Sequence, residues 1–132
     1  MNYFLSKKSI YGIKALIYTS KREHFSLLKS IAEDENIPQS FLKNIFIEFQ
    51  KNGLVYLRKG QGYKLAKPAN EINLYTIVEI LQGPLISLPC VNKQFFEKCD
   101  DCSDVQCFIG KNLIVVKQQL NNHLRNISLS SI

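Results

Sequence analysis

The sequence has no apolar run long enough for a membrane span, which takes about 18 mostly apolar residues. Its first residues, MNYFLSKKSIYG, carry lysines where a signal peptide needs its apolar stretch, and they contain no small-residue cleavage site. These two absences argue against a membrane protein and against a secreted one, and we expect a cytoplasmic protein.

Catalytic groupings are also missing. The sequence contains no paired carboxylates in an apolar setting, no Ser/His/Asp grouping and no glycine-rich phosphate loop. It has no internal repeat and no low-complexity segment. A hydrophobic fraction of 45% is enough for a packed core and too high for a disordered chain. We therefore predict a small globular protein that is not an enzyme.

Acidic side chains are scarce in the first half of the chain. Residues 1–70 hold twelve of the 17 lysines and arginines but only five of the 11 aspartates and glutamates. The formal net charge of +6 therefore comes from this half, which suits a polyanionic partner such as nucleic acid.

Cysteine is absent outside one segment, CVNKQFFEKCDDCSDVQC, which contains Cys90, Cys99, Cys102 and Cys107. Disulfides rarely persist in the cytoplasm, so clustered cysteines favour metal binding or redox chemistry. The C-x2-C pair could hold one metal centre while the outer thiols close from either side, and thiolates suit iron–sulfur clusters or zinc. Zinc knuckles usually combine two short pairs, and only one pair is short here. A thiol–disulfide switch without metal is a third interpretation.

The basic half begins with a predicted helix. In SKKSIYGIKALIYTSK, Ile10, Ile13 and Ile17 recur at the spacing of one helical face and form an apolar stripe. Ser6 or Ser9 is the expected N-cap of this helix.

The next stretch, SLLKSIAEDENIPQSFLKNIFIEFQKNG, predicts two helices joined by a short turn. The first runs from about Leu27 to Asp34 with Ser26 as its cap. The second opens at Gln39 or Ser40 and ends near Gly53, a natural C-terminal cap.

The turn between these helices is typical of a helix-turn-helix. Pro38 disfavours helix at the residue before it, and Asn36 tolerates a left-handed conformation. The small Ala32 is expected where the helices cross, with Leu42 and Ile45 packing beneath. A helical hairpin that serves only the core is the alternative; the turn length and the basic surroundings favour DNA binding.

A β-hairpin follows, in GLVYLRKGQGYKLAKP. Residues 54–57 and 63–65 are apolar and β-prone, and Gly60 and Gly62 allow a tight turn between them. Arg58 and Lys59 are expected to project from its tip. A hairpin with cations directly after a recognition helix is a wing that reaches phosphates or a minor groove. A purely structural hairpin is the alternative.

The second half of the chain predicts two further helices. EINLYTIVEILQG places one apolar face on a helix that ends at Gly83, and the cysteine segment follows as a loop. The last stretch, FIGKNLIVVKQQLNNHLRNISLSSI, predicts a long helix whose apolar seam consists of Leu113, Val116, Leu120, Leu124 and Ile127. We interpret the seam as the contact of a homodimer; packing on the helix's own domain is the alternative.

These motifs together resemble the Rrf-type winged-helix transcriptional regulators, an IscR/NsrR/CymR-like family. LSKKSIYGIKAL is similar to the family's first helix, and IAEDENIPQSFLKNIF to its helix-turn-helix. KNGLVYLRKGQGYKLAKPANEINLYTIVEILQGP is similar to its wing and following helix, and RNISLSSI to its usual close. The resemblance covers nearly the whole chain. It implies a mainly α-helical fold with a small β-hairpin: a winged helix-turn-helix head over residues 1–83, a cluster loop over 84–106 and a dimerisation helix over 107–132.

The resemblance also implies a function. Such a protein is a bacterial repressor or other regulator that binds double-stranded DNA at a pseudo-palindromic operator as a homodimer. It holds a [2Fe–2S] or [4Fe–4S] cluster that senses iron, redox state or nitric oxide. Gly110 replaces a ligand histidine found in some relatives, and Ile10 lies near the position of a ligand acid in others, so the fourth cysteine is the expected substitute. A zinc-binding or thiol-redox interaction protein without a cluster is the alternative.

The expected DNA contacts fall into two groups. Gln39, Ser40 and Lys43 lie near the start of the recognition helix, where side chains meet base edges. Lys43 stands where some relatives carry an acid, so the base preference is expected to differ. Arg58, Lys59 and Gln61 belong to the wing, which is shorter than usual for the family, and are expected to contact phosphates or a minor groove.

Overall fold

The computed structural model describes residues 5–83 and 108–131. Its elements in chain order are α1 (Lys7–Ser20), α2 (Leu28–Glu35), α3 (Gln39–Lys51), β1 (Val55–Arg58), β2 (Gly62–Leu65), a 3₁₀ turn (Ala69–Glu71), α4 (Leu74–Gln82), α5 (Phe108–Arg125) and a second 3₁₀ turn (Leu129–Ser131). The prediction of a mainly helical fold with one small hairpin is confirmed.

Helix α1 begins at Ser6, whose hydroxyl accepts a hydrogen bond of 3.1 Å from the amide of Ser9. The predicted apolar stripe is not the buried face of this helix. Ile10 is 38% exposed, and the fully buried face carries small residues with one leucine, Gly12, Ala15 and Leu16.

The rotation of α1 has a steric cause. A Cβ at Gly12 would overlap the side chain of Leu81 on α4 and touch that of Phe49 on α3. Close approach of three helices therefore requires the small side chains to face inward, while the isoleucine stripe lies at the edge of the core.

The helix-turn-helix forms as predicted. Three residues separate α2 from α3, and Asn36 adopts the left-handed conformation with φ 54°. The amide of Ile37 donates a 2.9 Å hydrogen bond to the carbonyl of Ala32, which is buried at the helix crossing. Leu42 and Ile45 are completely buried beneath it.

Ser26 is not the N-cap of α2, contrary to the sequence-based prediction. Leu27 occupies the cap position, and no side chain caps the helix. Ser26 instead pairs with Tyr63 of β2 through two backbone hydrogen bonds of 2.9 and 2.8 Å. The short segment before α2 thus pairs with the outer edge of β2 through an isolated β-bridge. The two segments are far apart in the sequence, so the local sequence pattern does not reveal this pairing.

The hairpin itself pairs antiparallel, with Val55 opposite Leu65 and Arg58 opposite Gly62. Gly62 has φ +103°, and a Cβ there would overlap the carbonyl of Ser26. Only glycine fits a position that combines this backbone conformation with so close a neighbouring strand.

The end of the chain returns to the head after α5. The amide of Leu129 donates to the carbonyl of Ile72 at 2.7 Å, and that of Leu74 donates to Ile127 at 3.0 Å. Leu129 and Ile72 are 2% and 1% exposed. Between the helices, the guanidinium of Arg125 lies 4.1 Å from the ring centroid of Tyr75. The predicted long helix is confirmed, although it ends before Ile127.

Candidate nucleic-acid interface

Helix α3 has one buried face and one exposed face. Its buried side consists of Leu42, Ile45, Phe46 and Phe49, all at zero exposure. Because α-helical residues turn about 100° each, the side chains opposite this face point to solvent. All three residues predicted to read bases, Gln39, Ser40 and Lys43, are exposed in the first part of the helix.

Asn44 is an interface candidate that the sequence analysis missed. It is exposed and lies one turn after Ser40 on the same side of α3. A side-chain amide can hydrogen-bond a base edge in the major groove. The signal that could have identified it is its i+4 spacing from Ser40, whereas Gln39 lies about 100° around the helix from Ser40, at the border of the exposed face.

Two contacts fix α3 against α1. The rings of Tyr11 and Phe41 meet edge-to-face with centroids 5.5 Å apart. The ammonium of Lys8 lies 2.6 Å from a carboxylate oxygen of Glu48, the only acid of α3. This partly exposed pair adds little stability, but it places a positive charge against the one carboxylate of α3.

The wing carries its polar residues differently from the prediction. Lys59 and Gln61 are exposed in the turn, which the amide of Gln61 closes with a 2.9 Å bond to the carbonyl of Arg58. Arg58 is the last residue of β1, and its guanidinium carbon lies 5.0 Å from the ring centroid of Phe25. The exposed side chain of Arg58 therefore lies within cation–π distance of an aromatic ring.

A second cation–aromatic contact stabilises the junction of α1 and α2. The guanidinium of Arg22 lies over the ring of Tyr18, with its carbon 3.3 Å from the centroid. The hydroxyl of Tyr18 donates a hydrogen bond to Asp34 of α2. That bond to a carboxylate is the main reason why the pKa of Tyr18 is raised above 10.0, with burial adding to the effect.

The four cysteines predicted as metal ligands, Cys90, Cys99, Cys102 and Cys107, lie in residues 84–107, outside the described residues. Within residues 5–83 and 108–131, no group of three or more His, Cys, Asp or Glu side chains is placed to hold a metal ion. His24 and His123 are exposed, as expected of surface residues. The cysteine site stays a prediction.

The end of α4 is hydrogen-bonded to the beginning of α1. The side-chain oxygen of Gln82, at the end of α4, accepts hydrogen bonds from the Ser6 amide at 2.8 Å and the Ser9 hydroxyl at 2.7 Å. Gly83 then turns the chain with φ +81°. The last residue of α4 is thus bonded to the N-cap and the first turn of α1.

Helix α5 exposes apolar side chains on the described chain. Val115 and Val116 are 51% and 47% exposed, and Leu120 and Leu124 are half-buried. Leu113, the first residue of the predicted seam, has a side chain outside the described set. No helix in the described residues is both long enough and apolar enough to cross a membrane.

Comparison with known proteins places these features in context. Residues 5–132 match the family model Rrf2, whose description is an iron-dependent transcriptional regulator. An rrf2-like HTH-type transcriptional regulator of Rhodobacter capsulatus is 30% identical over 115 residues, covering 81% of this chain and 77% of that protein. The HTH-type transcriptional regulator NsrR of Oceanobacillus iheyensis is 36% identical over 93 residues, covering 67% of this chain and 63% of that protein.

Solved structures agree with the fold. CymR, the global cysteine regulator of B. subtilis, matches with a TM-score of 0.78 at 23% identity, over 99% of this chain and 95% of that one. T. potens IscR matches with a TM-score of 0.76 at 24% identity, over 96% and 83%. Likeness at this level of identity supports the winged-helix architecture.

Proposed function

The chain belongs to the Rrf2 family of transcriptional regulators, which bind DNA and are not enzymes, and on this premise we propose that it is a homodimeric regulator whose cysteine segment holds an iron–sulfur cluster as the sensor. The observation that carries the DNA-binding part is the exposed face of α3 beside a basic wing. The predicted family and the predicted absence of enzymatic activity are confirmed.

Lys43 and Asn44 are the proposed base-reading residues in the exposed part of α3, with Gln39 and Ser40 at the start of the helix. A lysine suits the acceptors of guanine, and an asparagine suits the donor–acceptor pair of adenine. Lys59 and Gln61 in the wing turn are proposed to contact the sugar–phosphate backbone. Such contacts set the register of a protein on the duplex and make its affinity depend on salt.

The side of α5 that carries Val116, Leu120 and Leu124 supports the proposed dimer, since Val116 is 47% exposed and the two leucines are only half-buried. A helix that leaves apolar side chains half exposed along one side gains free energy by pairing with a second copy. Two-fold symmetry would present two α3 helices to DNA and so requires a pseudo-palindromic operator, with half-sites separated by at least about one helical turn.

The donor set of the cysteine segment fits an iron–sulfur cluster. Cys90, Cys99, Cys102 and Cys107 would supply four thiolates, the ligands such clusters take, and the family's description as iron-dependent supports iron over zinc. A bound cluster would supply sensitivity to iron supply or redox state. The chain's own part is to hold the segment between Gln82, which is bonded to α1, and α5, so that ordering of the segment bears on both elements.

The test is purification without oxygen, followed by an absorption spectrum, iron and sulfide analysis and DNA binding. Brown protein that contains iron and sulfide and binds duplex DNA supports the proposal. Colourless protein with one zinc ion per chain would show that the cysteines bind zinc and not an iron–sulfur cluster. Metal-free protein that forms a disulfide on oxidation would show that the cysteines act as a thiol–disulfide switch.

A further inference from the structure

We propose that Phe25 is a positioning residue for DNA binding: its ring holds the guanidinium of Arg58 so that the wing presents this cation ready for a phosphate. The inference rests on the proposed DNA-binding function and adds to it a residue outside both the recognition helix and the wing. Phe25 lies in the segment that precedes α2, next to the Ser26 backbone pairing with Tyr63.

The sheet register explains why the two side chains meet. Tyr56 pairs with Lys64, and Arg58 pairs with Gly62, so these side chains share the face of the hairpin opposite to the buried Val55 and Tyr63. Phe25 covers that face. Its ring meets Tyr56 edge-to-face with centroids 5.3 Å apart, and the Arg58 guanidinium carbon lies 5.0 Å from its centroid.

Arg58 is the better placed of the two cations on this ring. The ammonium of Lys64 lies 5.8 Å from the centroid, at the outer limit of a cation–π contact, which extends to about 6 Å. A guanidinium held over a ring by a cation–π contact still has N–H donors for a phosphate. Among the described residues, no carboxylate and no hydrogen-bond acceptor engages the Arg58 side chain.

Arg58 and Lys59 are therefore expected to contribute to DNA binding in different ways. A free arginine or lysine loses side-chain freedom when it binds a phosphate, whereas the contact with Phe25 would restrict Arg58 beforehand. Gly62, opposite Arg58, has no side chain to crowd the guanidinium. Lys59 is exposed in the turn, and no aromatic ring of residues 5–83 and 108–131 holds it in this way. Loss of the ring should therefore weaken binding without removing any charge from the wing.

The experiment measures the affinity of full-length protein for a mixed-sequence DNA duplex at several salt concentrations. Phe25→Leu should weaken binding about two- to five-fold per wing, the effect of an exposed cation–π contact, and leave the salt slope unchanged. Phe25→Tyr, which keeps a ring, should bind as the unmodified protein does. Arg58→Ala should weaken binding and reduce the slope by about one per subunit.

Two double mutants separate positioning from general damage to the wing. Phe25→Leu should have no further effect in the Arg58→Ala background, and its full effect in the Lys59→Ala background. Equal losses in both backgrounds, or normal affinity of Phe25→Leu, would overturn the inference.

Arg58→Lys keeps the inference testable if Phe25→Leu fails to fold, which thermal unfolding would reveal. This variant should lose affinity at an unchanged salt slope, because the charge is kept and the stacked plane is lost. Normal affinity of Arg58→Lys would count against the inference. If the unmodified protein does not bind DNA, the proposed function itself is wrong. This result is distinct from a failure of the inference, because it is obtained without any variant.

Discussion

The hydroxyl of the fully buried Ser9 donates a 2.7 Å hydrogen bond to the side-chain oxygen of Gln82. The bond joins the first turn of α1 to the last residue of α4, and the same oxygen caps the helix entrance by accepting from the Ser6 amide. One side chain at the end of α4 thus satisfies two donors at the start of α1.

Replacing Gln82 by leucine should destabilise the head by about 1–3 kcal/mol, because a buried hydroxyl and a backbone amide lose their acceptor. Gln82→Glu keeps a side-chain oxygen and should retain most of the stability. Urea denaturation followed by circular dichroism measures both. Equal stability of the leucine variant and the unmodified protein would show that water replaces the acceptor.

Gly62→Ala should destabilise the protein by clearly more than Gly60→Ala. Both glycines have positive φ, +103° and +84°, so each substitution strains the backbone by about 1 kcal/mol. A methyl group at position 62 would in addition overlap the carbonyl of Ser26, whereas nothing lies within 4 Å of one at position 60. Thermal unfolding of the two variants checks this difference, and equal losses would contradict the pairing of Ser26 with β2.

Val116→Glu should convert a homodimer into monomers. Val116 is 47% exposed on the single chain, so a carboxylate there is solvated in the monomer but desolvated in an α5 seam, at a cost of several kcal/mol. Gln118→Glu adds the same charge about 200° around the helix and should leave the dimer intact. The measurement is sedimentation equilibrium. If the Val116→Glu variant remains a dimer, the dimer interface does not include this face of α5.

Each of Cys90, Cys99, Cys102 and Cys107, when replaced by alanine, should reduce bound iron and visible absorption in protein prepared without oxygen. The reason is that each substitution removes one thiolate from the donor set. Ser103→Ala, in the same segment, is the matched control and should leave both unchanged. Iron analysis and the absorption spectrum provide the readout. A variant that keeps its full iron content would show that the replaced cysteine is not a cluster ligand.

Local signals in the sequence were sufficient for most elements of this fold. Asn36 and Pro38 mark the turn of the helix-turn-helix, Gly53 ends the recognition helix, and Gly60 and Gly62 mark the hairpin turn. These residues act through their own backbone preferences, which do not depend on distant partners. The bounds of α2, α3 and the two strands were therefore predictable to within one or two residues.

Contacts between distant segments were not predictable in the same way. The stripe of Ile10 suggested a buried face for α1, but the close approach of Leu81 at Gly12 selects the small residues instead. The pairing of Ser26 with Tyr63 and the contact of Arg58 with Phe25 likewise depend on how the hairpin docks. Periodicity shows which residues share a face, and only tertiary packing determines which face is buried.

The measurement that tests the account most directly compares Lys43→Ala and Lys59→Ala in binding to two duplexes at several salt concentrations. One duplex is selected from a random library with the unmodified protein, and the other is its scrambled sequence. Lys43→Ala should reduce discrimination between them by about 1–3 kcal/mol if the contact is bidentate. Lys59→Ala should weaken binding to both alike and lower the salt slope by about one per subunit. Unchanged binding of both variants would show that α3 and the wing are not the DNA-binding surface of this protein.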